Sequence, residues 1–361
     1  MKSNYKPLGK YIRLVDERNI ALEDLPLMGL SVSKHFFPTI ANLVGTDMKT
    51  YKIVYRNQFT YIADTSRRGD KIAISLNEKF DKMLVSQAYT PFEVKDNNEL
   101  DAEYLMMWFR RPEFDRYARF KSHGSAREIF DWDEMCNTLL PVPHIDKQRE
   151  IVKEYNVIQN RIALNQQLIQ KLEETAQAIY REWFVEGIDL ENLPEGWRVG
   201  KLPDLIEVKY GKAYSHLEEG EIPLYGSGGL MSKVNKALYT KPSVLIPRKG
   251  TLSNIMFINH PFWCVDTMFY SIFKNEINGY YSYYILKQLD FDALNQGSAV
   301  PSMTTAFLND IDVVIPNKKI LTDFNEALKR IITHKENIAK ANLKLSELKD
   351  LLLSKLATIE N

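Results

Sequence analysis

Residues 151–184 read IVKEYNVIQNRIALNQQLIQKLEETAQAIYREWF, and this stretch decides the fold. Ile151, Tyr155, Ile158, Ile162, Asn165, Ile169, Leu172, Ala176, Ile179 and Trp183 recur at alternating spacings of four and three, a heptad seam with one polar position at Asn165. Proline and glycine are absent from all of 144–186, and Pro143 stands just before it. Both residues damage helix interiors, so the window reads as one long helix. A second breaker-free window, 317–361, opens after Pro316. There Phe324, Ile331, Ile338, Leu345, Leu352 and Ile359 return every seventh residue. Their companions are Leu321 and Leu328, then Ala341 and Leu348, which implies a change of phase near Lys335. A helix of about 40 residues is about 60 Å long, and its apolar stripe must be covered. The obvious cover for each helix is the other one; the alternative is that each packs on its own domain.

The two remaining segments carry short runs of β-branched and aromatic residues between turn residues, such as Tyr51-Lys52-Ile53-Val54-Tyr55, Lys71-Ile72-Ala73-Ile74-Ser75 and Ser243-Val244-Leu245-Ile246. Such runs predict strands in an α+β domain, each with one short helix, over Ala102–Phe109 and Tyr280–Leu289. The expected domains are therefore 1–143, a central helix 144–190, 191–316 and a C-terminal helix 317–361.

The two halves repeat. Gly124-Ser125-Ala126 answers Gly297-Ser298-Ala299, and Pro143 answers Pro316 at the same offset of 173 residues. Leu140 and Val142 then face Val313 and Ile315 without a gap. Further anchors pair Leu8-Gly9-Lys10 with Val199-Gly200-Lys201, and Pro26-Leu27-Met28-Gly29 with Pro223-Leu224-Tyr225-Gly226. Two equivalent helices pairing as an antiparallel coiled coil would relate the halves by a pseudo-twofold axis.

This arrangement resembles the specificity subunit of type I restriction-modification systems over nearly the whole chain. The residues that carry the resemblance are Gly297-Ser298-Ala299-Val300-Pro301-Ser302 leading to Ile311–Pro316, their counterpart Gly124–Pro143 running into His144–Ile151, and the opening Leu193-Pro194-Glu195-Gly196-Trp197-Arg198. The first half lacks that Pro-x-Gly-Trp opening, having Tyr5-Lys6-Pro7-Leu8-Gly9, and the leader Asn317–Leu321 lacks the glutamine the family often places there. The resemblance implies two target recognition domains of similar fold, each reading one half of a split sequence in double-stranded DNA. It implies paired helices acting as a spacer and as the dock for modification subunits, two copies being expected. Adenine methylation, and restriction if a restriction subunit joins, would belong to those partners, with S-adenosylmethionine, ATP and Mg²⁺ held there and no catalysis in this chain.

Composition agrees with a reader that depends on local features. The 361 residues carry 47 Lys+Arg against 47 Asp+Glu, which excludes a lone electrostatic DNA-coating protein. Partner subunits would then supply much of the phosphate neutralisation. The two cysteines, Cys136 and Cys264, form neither a zinc pattern nor a disulfide framework. With no apolar leader and no membrane-length apolar run, the expected location is the cytoplasm. No phosphate-cradling Gly-x-x-x-x-Gly-Lys-Ser/Thr loop and no Asn/Asp-Pro-Pro-Tyr/Phe tetrapeptide is present. Pro203–Lys209 superficially suggests a nuclease metal site, but on a strand Asp204 and Glu207 would point to opposite faces. The six histidines show no ligand spacing.

The candidate DNA contacts are polar residues at turns. Arg67, Arg68 and Lys71 form one basic turn, and Arg248, Lys249 and Asn254 its analogue. Arginine and asparagine can make bidentate contacts to guanine and adenine edges. Lys34 and His35, and Ser227 and Lys233, follow the paired Pro-Leu-x-Gly anchors. Ser125 and Arg127, and Gln296, Ser298 and Ser302, surround the Gly-Ser-Ala turns, whose backbone N–H groups could meet phosphates. Arg110–Lys121 is the densest basic segment, readable either as a phosphate-facing surface or as a solvated helix with internal ion pairs. The competing functions are a coiled-coil protein-binding scaffold without a DNA role and, more remotely, a nuclease centred on Asp204 and Glu207.

Overall fold

The computed structural model describes residues 5–39, 45–66, 69–124, 128–289 and 303–359. The chain forms two compact units: unit 1 comprises 1–165 with 340–361, and unit 2 comprises 166–339. Each unit thus combines one globular segment with part of each long helix. The helices are not separate bodies, because their apolar faces belong to the cores they join.

In unit 1 a four-stranded antiparallel sheet has the order Ile12–Leu14, Thr90–Val94, Phe59–Ile62, Ala73–Leu76. Helix α1 (Ala102–Arg110) contributes Leu105, Met106 and Phe109 to the core beneath it, all inaccessible to solvent. Phe59 stacks on Phe92 with ring centres 4.9 Å apart, and Phe109 meets Phe59 edge-on at 5.8 Å. Each such ring contributes roughly 1.5–3 kcal/mol through burial. Helix α2 (Pro112–Lys121) starts on a proline, which suits a first helical position, and α3 (Trp132–Asn137) is capped by the Asp131 carboxylate accepting from Glu134 N. Helix α4 spans Ile145–Phe184; its Ile151, Val152 and Tyr155 enter the unit 1 core with Leu353 and Leu356.

Unit 2 repeats this plan. Its four-stranded antiparallel sheet has the order Ile206–Tyr210, Met268–Phe273, Ser243–Pro247, Met256–Ile258, the same succession as in unit 1. Helix α5 (Asn278–Gln288) corresponds to α1, α6 (Thr305–Asp310) to α3, and α7 (Lys318–Lys355) to α4. The 173-residue offset is kept from α3 and α6 through to the starts of α4 and α7. In both units a strand from the N-terminal side pairs antiparallel with the strand before the long helix: Tyr5–Pro7 with Leu139–Pro141, and Arg198–Lys201 with Asp312–Ile315. Leu8 N donates to Thr138 O at 2.8 Å, and Leu202 N to Ile311 O at 3.0 Å, so Leu8 answers Leu202. That shifts the expected Leu8-to-Val199 anchor by three residues. The second anchor is kept: Leu27 and Leu224 each make a parallel bridge, to Leu84 and Trp263.

Within each unit the helix segments run antiparallel. In unit 1 Asn165 meets Asn342 while Ile151 and Tyr155 share the core with Leu353 and Leu356. In unit 2 Glu173 meets Lys335 while Tyr180 and Phe184 surround Phe324. The seam residues Ile151, Asn165, Phe324 and Ile338 are buried, and Ile158, Leu172, Ile179, Ile331, Leu345 and Leu352 are half-buried. The expected phase change near Lys335 is absent. Ala341 and Leu348 are exposed, and the companion line continues through Lys335, Asn342 and Lys349 to Leu356 at unbroken heptad spacing. An apolar count misses this line because three successive members are polar.

Candidate nucleic-acid interface

Unit 1 brings together turns that lie far apart in sequence. Asp70 belongs to the turn after the Phe59–Ile62 strand, and Glu128 follows the Gly124 turn. The Arg119 guanidinium on α2 bonds to both, at 2.7 Å to Asp70 and 2.6 Å to Glu128. Around this bridge Thr65 N donates to Glu128 O at 3.2 Å, and the Thr65 hydroxyl meets that of Ser122 at 2.8 Å. Lys71 is exposed beside Asp70 and makes no ion pair among the described residues. Arg67, Arg68, Ser125 and Arg127 lie outside the described residues.

Lys34 is corrected by the structure. It sits in the turn joining the strands Met28–Leu30 and Phe36–Pro38, with φ at +62°, and its side chain turns inward. The ammonium lies 2.9 Å from the Asp115 carboxylate and donates to Phe109 O. Burial pulls its pKa below the ordinary lysine value, and Asp115 opposes that pull. This lysine therefore ties the turn to α1 and α2 instead of facing a phosphate. The neighbouring His35 stays exposed.

Unit 2 assembles a corresponding cluster with different bonds. The Asn254 amide donates to Ser227 O at 2.8 Å, and a Cβ on Gly250 would stand 2.7 Å from the Ser227 hydroxyl oxygen. Gly250 also has φ of +83°, a conformation open to glycine, so the Arg248–Asn254 turn closes directly on the Ser227 loop. Met303 N donates to Arg248 O at 2.8 Å, bringing the described end of the following segment alongside. The Arg248 guanidinium lies over the Tyr210 ring at 5.3 Å. Lys249 is exposed, while Lys233 stands further along its strand and pairs with Glu221 at 3.0 Å. Gln296, Ser298 and Ser302 lie outside the described residues.

Sequence reasoning missed Arg119 and Tyr210 as organisers. Their partners stand 49 and 38 residues away, as Asp70 and Arg248 do, so no local pattern announces them. The rest of the basic segment is likewise paired, Arg110 with Glu78 at 3.6 Å, Arg116 with Glu113 at 3.0 Å and Lys121 with Glu134 at 3.5 Å. It is a solvated helix with ion pairs both internal and tertiary.

Groups that could suggest catalysis are engaged elsewhere. Asp204 lies in a 3₁₀ turn preceding the strand, where it accepts from Lys201 N at 3.2 Å and from Arg198 at 3.1 Å. Glu207 pairs with Lys209. Among the described residues no His, Cys, Asp and Glu group could hold a metal ion. Burial pushes the Cys264 thiol up to about 12, far from a nucleophilic thiolate. No helix among the described residues is long and apolar enough to cross a membrane.

The model of the type I restriction modification DNA specificity domain matches twice, over residues 36–174 and 194–347. The chain belongs to the type I restriction-modification DNA specificity family. One matched stretch falls in each half of the internal repeat, and the function this assigns is DNA sequence recognition. Among relatives of this specificity subunit, the type I restriction enzyme MjaIX specificity subunit of Methanocaldococcus jannaschii is 20% identical over 296 residues, covering 71% of this chain and 68% of the relative. The HindI specificity subunit of Haemophilus influenzae is 19% identical, covering 88% of this chain and 89% of the relative. The crystal structure of a type I restriction-modification S subunit from M. genitalium shares the fold at a TM-score of 0.64 and 15% identity, covering 99% of this chain and 96% of that one. A chain from a study of complex assembly in the type I system aligns at a TM-score of 0.52 with 17% identity, covering 98% and 96%. The scaffold without a DNA role is not favoured by these relationships.

Proposed function

We propose that this specificity subunit reads a bipartite, asymmetric DNA target with a fixed unread gap, and that it directs adenine methylation by partner subunits. Each unit contacts one half-site through its clustered turns, around Lys71 in unit 1 and around Arg248, Lys249 and Asn254 in unit 2. The paired helices form an antiparallel coiled-coil spacer whose length sets the gap. S-adenosylmethionine, ATP and Mg²⁺ belong to the partners in this reading, and this chain contributes no catalytic group. Two modification subunits and, where present, a restriction subunit complete the machine.

The observation that carries the reading is the doubling: one element order occurs twice, each copy with its own turn cluster and its own share of both helices. Different loop residues on one frame favour two different half-sites. An apolar groove of about 640 Å³ on the unit 1 helices, lined by Val157, Ile158, Leu348, Leu351 and Leu352, supports docking of a partner there.

Adding one heptad to both α4 and α7 lengthens the spacer by about 10 Å, roughly three base-pair steps. Methylome sequencing of cells carrying that variant should report both half-sites intact and the gap enlarged by about three base pairs. An unchanged gap rejects the spacer as a ruler.

A further inference from the structure

Phe120 is 84% exposed, the most exposed large apolar side chain among the described residues. It closes α2, whose inward face buries Phe114 and Ala118. Phe120 instead shares the outward face with Arg116 and Glu113, four and seven positions earlier along the helix. No aromatic ring of the described residues pairs with it.

Its surroundings say what it would meet. Arg116, paired with Glu113 at 3.0 Å, and Lys121, paired with Glu134 at 3.5 Å, flank it on the same helix, and His123 follows, 3.3 Å from the Asp131 carboxylate. One position before it, Arg119 holds the Asp70 and Glu128 turns together, with Lys71 on the first of them. A protein-docking patch would gather several apolar side chains, whereas here a single ring stands beside the joined turns, on which Lys71 is exposed and makes no ion pair among the described residues. Duplex DNA offers the complement, anionic phosphate rails on either side of stacked bases. Apolar wedges in DNA-bending proteins enter such a stack and open one base step.

We propose that Phe120 is a wedge that inserts at a base step of the half-site read by unit 1. The proposal rests on the reading of the unit 1 turns as DNA-facing. Lys71 holds a phosphate while the ring opens a neighbouring step, so the step's deformability becomes part of what unit 1 recognises. Pyrimidine–purine steps unstack most readily and should be favoured there, without a base-edge hydrogen bond.

The test uses the full chain assembled with its modification partner. The probe is a duplex carrying the methylation motif of the source genome, with 2-aminopurine placed in turn along the unit 1 half-site. Wild type should brighten the probe at one step apart from the adenine to be methylated, which the modification partner unstacks by itself. Phe120→Ala should abolish that signal and weaken target binding about tenfold, the size of one base-stacking contact. Its salt dependence and its melting temperature should not change, because neither a phosphate contact nor core packing is lost. Phe120→Trp should restore both signal and affinity. Wild-type binding and brightening by Phe120→Ala overturns the proposal, as does a loss of affinity traced by size-exclusion chromatography to failed assembly. Lys71→Ala separates the two levels. If it weakens binding and flattens the salt slope while Phe120→Ala does nothing, the wedge fails and the DNA-facing reading stands. If neither variant has an effect, the DNA-facing reading of these turns fails as well.

Discussion

Gln148 and Leu321 occupy the same place in the repeat, the fourth residue of their long helices, and they secure those helices by opposite means. Gln148 is fully buried and makes three hydrogen bonds. Its amide donates to Glu99 O at 3.0 Å and Pro143 O at 2.8 Å, and its oxygen accepts from Asp101 N at 2.9 Å. Asp101 in turn caps α1, so one side chain joins the start of α4 to the start of α1. Leu321, 4% exposed, joins the apolar cluster of Phe184, Tyr281 and Phe324. The same frame is thus fixed by direction in one unit and by area in the other. The directional solution tolerates substitution poorly, since losing the one side chain takes the partner from three backbone groups at once.

The largest effect should follow from exchanging the two. Gln148→Leu leaves Asp101 N–H, Glu99 O and Pro143 O without this partner and should cost about 3 kcal/mol. Leu321→Gln buries an amide in an apolar site and should cost about 2–3 kcal/mol. Hydrogen exchange should localise the first loss to α1 and the start of α4, and the second to unit 2. Wild-type protection of α1 in Gln148→Leu would show that packing area alone holds both helices.

The polar interruptions of the seam sharpen the comparison. In unit 1 the Asn165 amide donates to the Asn342 oxygen at 2.8 Å, a neutral pair. In unit 2 Glu173 receives Lys335 at 2.7 Å and also Lys287 from α5. Burial would raise the Glu173 carboxyl, but the two ammonium groups outweigh it and hold its pKa below the ordinary 4.5. A depressed carboxyl contributes stability that is present above its unfolded value and lost as pH falls through its folded value. Acid should therefore loosen residues 166–184 before residues 145–165. Glu173→Gln should cost roughly 2 kcal/mol at neutral pH, between an exposed and a fully buried pair, and should remove that acid step. Hydrogen exchange from about pH 6 to about pH 3, normalised for the chemistry, reads both. Equal loosening of the two segments would sink the assignment.

These contacts explain what could be read from the sequence. The α4 seam was legible because helical periodicity is local, so Ile151, Tyr155, Ile162 and Ala176 announce a buried face within one contiguous stretch. The α7 seam was half legible. Lys335 and Asn342 take seam positions whose partners, Glu173 and Asn165, lie on the other helix, and hydropathy cannot supply a partner. The turns divide in the same way. Lys34 and Lys71 are the same residue type in similar turn contexts, yet Asp115 draws only the first into the unit. A basic turn in sequence identifies where a contact could form; the acid that claims the charge is a tertiary fact. The fold survived such errors because the repeat supplied each element twice.

The smallest effect concerns the residue before each long helix, again at equivalent places. Asn317 accepts from Ile320 N at 3.1 Å through its side-chain oxygen and donates to Glu195 O at 3.3 Å. His144 offers a 3.4 Å contact from Asp146 N, and its ring also lies 3.3 Å from the exposed Asp146 carboxylate. Asparagine is among the preferred helix caps, and truncating such a cap costs about 1 kcal/mol. Asn317→Ala should therefore lower the stability of unit 2 by about 1 kcal/mol, and His144→Ala that of unit 1 by a few tenths. Asn317→Asp divides the two bonds, because a carboxylate still caps Ile320 N and suits the helix dipole but cannot donate to Glu195 O. If Asn317→Asp is as stable as wild type, the cap accounts for the whole effect. If it melts like Asn317→Ala, the bond to Glu195 is what holds the start of α7, and unit 2 has recovered through Asn317 some of the directional fixing that Gln148 provides in unit 1.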